Sequence, residues 1–486
     1  MNLRAFDSFV SKVRREWKTP GVAVAIVHNG KVVLSKGYGL RDTAHGLAVT
    51  PRTLFAIASC SKAFTTMALG LLVDEKELCW DKPVRDYVPG FRLKDPIATE
   101  RATARDLACH RIGLPRHDLM WYGSSLSRRE LFDRLRHLEP NKEFRCDWQY
   151  QNGMYMAAGV LIEHVAGCTY EEFVRSRIFN PLGMSSSNLT VTELQRADDF
   201  AQPYAEVSGK VTKVCFRNMD AIGPAGSINS SVAEMTNWLL LHLGNGNWKG
   251  NPFVNGKTLA TMHAADLVVP IMDLNDVQHS CYGRGWFVQS YRGHKLVSHG
   301  GGVDGFSSGV YLLPGLKLGI VVLANRNGIQ LPFIIAANVF DRALKLAPIS
   351  WTERMKAYAG YARQNLVAAR RKWMKARKSG TRLSRPMHNF AGDFENPGYG
   401  LFSIKYKRKK LKAIHNGLVW NLEHYHFDVF GGRIASTNSL DMPTIPFSFN
   451  TDVSGEIGSV AIKLEEAVEA ISFRRVTPKL EKGKHF

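Results

Sequence analysis

An α+β architecture followed by a smaller all-β unit is what this chain of 486 residues predicts, and three observations carry the prediction. Strand-like runs with tight-turn signals stand at both ends of the first 350 residues, a mostly helical stretch separates them, and beyond residue 390 the apolar pattern changes to period two. The predicted layout is a first unit over 1–350, a basic linker helix over 351–385, an all-β unit over 386–477 and a tail over 478–486.

Leu3, Phe6, Phe9, Val10, Val13 and Trp17 recur at helical spacing among charged residues, so an amphipathic helix opens the fold. Residues 22–27 and 31–38 read as strands joined by His28-Asn29-Gly30, because Asn-Gly supplies the positive φ angles of a tight hairpin turn. From Ser59 to about Leu243 the pattern is helical, interrupted by Gly- and Pro-containing loops. Residues 295–298, 307–313 and 318–323 then read as strands, with Gly300-Gly301-Gly302 and Pro314-Gly315 as the turns between them. Short connections favour antiparallel pairing, and the sheet is expected to form from both ends of the unit.

Over 352–378, Met355, Tyr358, Ala362, Leu366, Ala369 and Trp373 form an apolar stripe with basic residues elsewhere, the pattern of a long amphipathic helix ended by Ser379-Gly380. The boundary to the last unit falls between 378 and 390. There Phe402, Ile404 and Tyr406 alternate with lysines, Asn416-Gly417 marks a hairpin, and Val460, Ile462 and Leu464 continue the alternation.

An apolar content of 45% with 22% charged residues excludes a disordered or fibrous chain. The net charge of +21 is concentrated: between Arg354 and Lys412, 17 Lys and Arg face only Asp393 and Glu395, a net +15. Such a block can attract nucleic acid or anionic lipid, but a solvated helix face followed by basic strands is the stronger reading, and no nucleic-acid partner is expected. Seven cysteines without a CxxC pair read as reduced core residues. Residues 1–20 lack the apolar run of a signal peptide, and no run approaches the ~18 apolar residues of a membrane span. The expectation is a cytoplasmic protein without cofactor or metal, free to form a homo-oligomer.

Three short motifs carry chemistry. Ser59-Cys60-Ser61-Lys62 follows a strand-like run and opens a helix, so Ser59 lies at a helix N-terminus and Lys62 projects one turn later on the same face. Helix-terminal N–H groups favour the negative charge that acyl transfer develops. Cys60 and Ser61 read as passive. Ser-x-x-Lys alone is weak, since roughly two occur by chance in a chain this long. Tyr150-Gln151-Asn152 precedes a helix; a phenol acting as base needs a nearby cation, which Lys62 supplies, and Asn152 offers a donor and an acceptor to a substrate amide. Taken singly, the two are more often a core tyrosine and a turn residue. His299-Gly300-Gly301-Gly302 closes a strand where glycines permit close approach of a substrate backbone, although three glycines alone are only a flexible turn. His424 and His426 share a strand face without further ligands and read as packing residues rather than a metal site.

In order and rough spacing these motifs resemble those of the class C beta-lactamase-related serine hydrolases, a group of beta-lactamases, DD-carboxypeptidases, D-aminopeptidases and esterases. Further matches are Pro20-Gly21-Val22-Ala23, the run from Cys109 to Pro115, Pro181-Leu182-Gly183-Met184, Pro224-Ala225-Gly226-Ser227 and Tyr282-Gly283-Arg284-Gly285-Trp286, so the resemblance covers about residues 5–345. It implies the serine beta-lactamase/DD-peptidase-like fold, an antiparallel sheet flanked by helices with a helical subdomain. It also implies Ser59 as nucleophile, Lys62 and Tyr150 as joint proton handlers, Asn152, His299 and Gly301 at the substrate, and the N–H groups of Ser59 and Gly302 as the oxyanion hole. Where beta-lactamases and DD-peptidases carry Lys in the third motif this chain has His299, which turns the expectation toward ester or peptide substrates and away from efficient beta-lactam hydrolysis. The alternative is a catalytically silent relative that binds a partner through cleft, barrel and basic segment. Residues 390–476 are similar to the small β-barrel appended to some of these hydrolases, on Gly392 to Pro397 and Leu422 to Asp428.

Overall fold

In the computed structural model, which describes residues 1–270, 275–435 and 443–476, the chain opens with helix α1 (Phe6–Glu16), whose Phe6, Val10 and Val13 are buried. Strands β1 (Gly21–His28) and β2 (Lys31–Asp42) follow as the predicted hairpin, with Asn29 at φ 51° and Gly30 at φ 73° in the turn. β3 (Leu47–Ala48) edges the sheet. The remaining strands arrive after the helical region: β4 (Leu267–Val268), β5 (Val277–Tyr282), β6 (Phe287–Tyr291), β7 (His294–Val303), β8 (Phe306–Leu313) and β9 (Leu318–Ala324). Their antiparallel order is β4-β5-β6-β7-β8-β9-β1-β2-β3, so the first and last strands of the unit meet at its centre, Val24 opposite Val322.

Alternation along β1 assigns the two cores. Val22, Val24 and Ile26 point to α1 and to helix α5 (Leu331–Leu344), whereas Ala23, Ala25 and Val27 face the helical layer. That layer contains α2 (Ser61–Asp74), α3 (Asn152–Ala166) and α4 (Val232–Leu243). α2 is buried along most of its length, which is what allows it to carry a lysine into the interior.

Three expectations need correction here. Gly300, Gly301 and Gly302 are not a turn: they lie inside β7, paired with Gly309, Ser308 and Ser307, and the chain reverses only at Asp304-Gly305. Of the three only Gly301 is pressed by its neighbours, since a Cβ there would collide with the Ile57 carbonyl and the Ser308 hydroxyl. The cysteines are all unpaired, but Cys79, Cys146 and Cys215 are exposed rather than in the core. The third concerns the long helix, α6 (Trp351–Lys375): Trp351 and Met355 are buried at its start and Trp373 stacks on Tyr425 at its end, yet Tyr358 and Leu366 between them are exposed. The predicted stripe therefore packs at its two ends only; the Ala362 side chain lies outside the described residues.

Eight strands then close a barrel: β10 (Gly392–Asn396), β11 (Gly400–Lys407), β12 (Lys410–His415), β13 (Leu418–His426), β14 (Val429–Ile434), β15 (Ile445–Thr451), β16 (Ile457–Ile462) and β17 (Ile471–Arg475). Phe394, Phe402, Trp420, Phe447 and Phe473 fill its interior. The predicted tail over 478–486 lies outside the described residues. Among the described residues no helix is long and apolar enough to cross a membrane.

The barrel is seated on the segment between Pro115 and Ser124. His117 Nδ1 lies 2.7 Å from the Tyr399 hydroxyl, the Asn416 amide donates to the Leu119 carbonyl at 3.2 Å, and His415 Nε2 lies 3.0 Å from the same carbonyl. These contacts fix a loop that reaches the cleft.

Candidate active site

Ser59 sits in a single 3-10 turn (Ala58–Cys60) that leads directly into α2, and Ala58 before it is held at φ 47°, a left-handed conformation that a non-glycine residue adopts at a cost of about 1–3 kcal/mol. The surroundings hold that strained turn in place. Cys60 Sγ contacts the His299 carbonyl at 3.2 Å and Ser308 Oγ at 3.3 Å, while the Ile228 N–H donates to Ser61 Oγ at 3.1 Å. The two residues read as passive thus brace the Ser59 turn against β7, β8 and the 223–230 segment.

Lys62 is fully buried. Its Nζ stands 3.2 Å from Ser59 Oγ and donates to Asn152 Oδ1 and the Ala225 carbonyl, each at 2.8 Å. Burial, then the charge of Arg116, pushes its pKa well below that of an ordinary lysine. A neutral amine has two N–H donors and one lone pair: the donors match Asn152 and Ala225, and the lone pair is left for the Ser59 hydroxyl.

The Tyr150 ring packs between the Lys62 amine, with Nζ at 4.7 Å, and the Arg116 guanidinium at 5.0 Å from its centroid. Burial nevertheless raises its pKa above the usual phenol value, opposed by a hydrogen bond to Ser59 and by Arg116. Burial thus disfavours the charged form of both the Lys62 amine and the Tyr150 phenol.

Asn152, expected to meet substrate, has both polar ends engaged within the protein: Oδ1 with Lys62, and Nδ2 donating to Asp118 Oδ1 at 2.9 Å. Asp118 also accepts from Arg116 Nε at 2.7 Å and from Trp121 Nε1 at 2.9 Å.

His299 is buried on β7. Its Nδ1 donates to the Gly300 carbonyl at 2.6 Å, so Nε2 accepts from the Tyr282 hydroxyl at 3.0 Å. Burial drives its pKa down to about 3, leaving a neutral ring where a lysine would carry charge. Gly301 faces Ile57, Ser308 and the Ser59 amide nitrogen rather than open space, whereas a side chain on Gly302 would meet nothing within 4 Å. The structure thus brings Ser59, Lys62, Tyr150, Asn152, His299 and the glycine run into one place.

Reasoning from sequence missed four neighbours. His110 packs 4.5 Å from the Tyr150 ring and its Nδ1 accepts the Gln151 N–H at 3.1 Å, so its proton is on Nε2; Arg116, Asp118 and Tyr282 complete the surroundings. His110 and Tyr282 lie in two of the runs that match related hydrolases, the one signal that pointed at them. His424 Nε2 meets the Phe427 carbonyl at 2.8 Å and His426 Nδ1 accepts the Lys378 N–H at 3.3 Å, and among the described residues no group of three or more ligating side chains is present.

A serine in a strained turn at a helix start, a buried lysine beside it and a neighbouring tyrosine on such a sheet are the arrangement of the serine hydrolases of the beta-lactamase and penicillin-binding-protein class. Residues 6–343 match the Beta-lactamase family model, and the chain belongs to that family; residues 376–475 match a domain of unknown function, DUF3471. The unguisins hydrolase ungD' of Aspergillus campestris is 28% identical over 424 residues, 83% of this chain and 78% of that protein. Protein flp of Staphylococcus aureus is 29% identical over 341 residues, 68% of this chain and 64% of its own length, so the match spans less than two thirds of that relative. Among solved structures, the octameric penicillin-binding protein homologue from Pyrococcus abyssi superimposes with a TM-score of 0.63 at 22% identity, covering 98% of this chain and 100% of that one. D-amino acid amidase from Ochrobactrum anthropi gives 0.59 at 23% identity, covering 71% and 99%. These structural likenesses describe the fold.

Proposed function

We propose that the protein hydrolyses amide or ester bonds of small peptide or acyl substrates through a covalent acyl-enzyme on Ser59. The observation that carries this reading is the placement of Lys62 Nζ 3.2 Å from Ser59 Oγ with its other contacts committed to Asn152 and Ala225. Ser59 Oγ passes its proton to the Lys62 lone pair and attacks the carbonyl carbon. The oxyanion is received by the N–H groups of Ser59 and Gly302. Tyr150 delivers its proton to the leaving nitrogen or oxygen as the bond breaks, and is reprotonated by the Lys62 ammonium. Water then attacks the acyl-ester, with the same pair taking its proton and returning one to Ser59 Oγ. Asn152 is a positioning residue for Lys62.

A neutral His299 supports ester and amide substrates over those selected by a carboxylate, because the fixed positive charge that would attract it is missing. The relative named an unguisins hydrolase agrees with hydrolytic chemistry. The test is labelling by a fluorophosphonate with Ser59→Ala as control, followed by ester, amino-acyl and cephalosporin substrates. Labelling that depends on Ser59, with ester or amide turnover and little cephalosporin opening, is the expected result; unlabelled, well-folded protein overturns it.

A further inference from the structure

The oxyanion side of the cleft depends on one carboxylate. Val303 and Phe306 close the turn between β7 and β8, with Asp304 and Gly305 between them. In a two-residue hairpin the closing pair exchanges its hydrogen bonds and the next pair does not, so the Gly302 N–H, opposite Ser307, points away from β8. On that side β6 runs beside β7 only as far as Ser298. No bond to a neighbouring strand therefore sets the Gly302 N–H where an oxyanion would meet it, and its position follows from how the turn is fixed.

Asp304 fixes the turn. The carboxylate is buried and gathers three donors on one oxygen: Oδ2 accepts the Tyr122 hydroxyl at 2.5 Å, Arg217 Nε at 3.0 Å and Arg217 Nη2 at 2.8 Å. The guanidinium also lies over the Tyr122 ring, 4.1 Å from its centroid. Burial, then the Asp304 charge, raises the Tyr122 pKa, so its hydroxyl stays a donor. Hydrogen bonds to an ionised acceptor are roughly twice as strong as neutral ones, and their convergence on a single buried atom leaves the turn little freedom. Behind it the Tyr204 N–H donates to the Gly305 carbonyl at 3.3 Å.

Tyr122 ties this anchor to the other side of the site. It stands on the same segment as Asp118, whose Oδ1 accepts from Asn152, and Asn152 in turn accepts from Lys62. A side chain on the next residue, Gly123, would collide with the Asn416 carbonyl of the barrel. The segment on which the barrel is seated thus fastens the amine beside Ser59 through Asp118 and the end of β7 through Tyr122.

We infer that Asp304 is a positioning residue for the oxyanion hole, with Tyr122 and Arg217 as the clamps that hold it. This role rests on the hydrolase reading above.

The experiment compares the full chain with Asp304→Ala and Tyr122→Phe, the second of which removes one hydroxyl and keeps the ring under Arg217. Melting temperature, kcat and KM on p-nitrophenyl acetate, the pH profile of kcat/KM and the inhibition constant of phenylboronic acid are measured. The boron takes Ser59 Oγ and becomes a tetrahedral anion with an oxygen in the hole, so its affinity reads the hole itself. Asp304→Ala should lose about a hundredfold in kcat and weaken phenylboronic acid by a similar factor, with KM within about twofold and the rising limb of the pH profile unmoved. Tyr122→Phe should melt close to wild type and show the same signature at about tenfold, and it decides the question if Asp304→Ala does not fold. Unchanged kcat, a KM that rises while kcat holds, a boronate affinity that does not follow kcat, or a limb that moves as it would on displacing Lys62 overturns the role. Failure of the hydrolase reading looks different: wild-type protein then neither labels with a fluorophosphonate at Ser59 nor turns over p-nitrophenyl acetate.

Discussion

Asn152 divides its amide between Lys62 and Asp118, accepting from the first at 2.8 Å and donating to the second at 2.9 Å. One side chain thereby fixes the amine beside Ser59 and ties it to the loop on which the barrel sits. Asn152→Asp places a carboxylate against Lys62, which favours the ammonium and raises its pKa. Activity requires the neutral amine, so the rising limb of the pH profile of kcat/KM should move to higher pH by a unit or more. Asn152→Ala leaves the amine unanchored and is expected to cost about a hundredfold in kcat. An unshifted limb in Asn152→Asp contradicts the role given to Lys62.

Ser59→Ala should abolish turnover and labelling while the protein still folds, because the hydroxyl is the attacking group. Lys62→Ala and Tyr150→Phe should each lose several orders of magnitude, and the double variant little more, since groups that pass one proton act as a unit. Losses that multiply in the double variant show two independent functions instead.

Acid should unfold this protein through its histidines before its carboxylates. Burial lowers the pKa of His110, His117, His242, His263, His299 and His415, to about 3 for His263 and His299. The unfolded chain binds these protons as pH falls through about 6.5 and the folded chain does not. Stability therefore declines from pH 6.5 toward 3, by up to roughly 1.4 kcal/mol per pH unit for each fully excluded proton. Carboxylates held below their ordinary pKa, such as Asp106 between Arg145 and Arg111, add their loss only below about pH 4. Urea midpoints at pH 7, 6 and 5 should fall steadily; a flat series rules out the histidine contribution.

Adjacent glycines in β7 should respond oppositely. Gly301→Ala drives a methyl group into the Ile57 carbonyl and the Ser308 hydroxyl that flank the Ser59 turn, so it should destabilise by about 1–3 kcal/mol and lose at least a hundredfold in labelling rate. Gly302→Ala meets open space and keeps its N–H. It should melt like wild type and label within a few fold. Equal tolerance of both means the turn yields more easily than its packing suggests.

Legibility followed sequence distance. Ser59 and Lys62 lie within one turn, and the Asn29-Gly30 hairpin is a two-residue signal, so both stand out from short stretches of chain. The partners of Asn152 and Gln151 do not: Asp118 and His110 are 34 and 41 residues away, and Glu465 is 348 from His117. Only the fold brings them together. Gly300 to Gly302 resemble a turn in sequence because a glycine signal is the same whether the backbone bends there or, as at Gly301, a neighbour presses against it. β5 is obscured because His279, at φ 55°, sits in a bulge that breaks its alternation.

The basic helix offers the last test. Arg370, Arg371, Lys372 and Lys375 are exposed on α6, and none forms an ion pair among the described residues. The anchors of the helix are elsewhere: Trp351 and Met355 are buried at its start, Trp373 stacks on Tyr425, and Arg377 Nε donates to the Tyr425 carbonyl at 2.7 Å just beyond its end. Replacing the four cations by Gln removes four charges and no packing. Exposed substitutions of this kind usually change stability by no more than about 0.5 kcal/mol, so the melting temperature should hold. Turnover of a small neutral ester should also be unchanged, because that substrate has no charge to be steered. If the segment holds a polyanion instead, wild-type binding should fall steeply between low and physiological salt through counterion release and disappear in the variant. We expect no such binding; a salt-dependent affinity that those four residues control shows that the helix is an interaction surface.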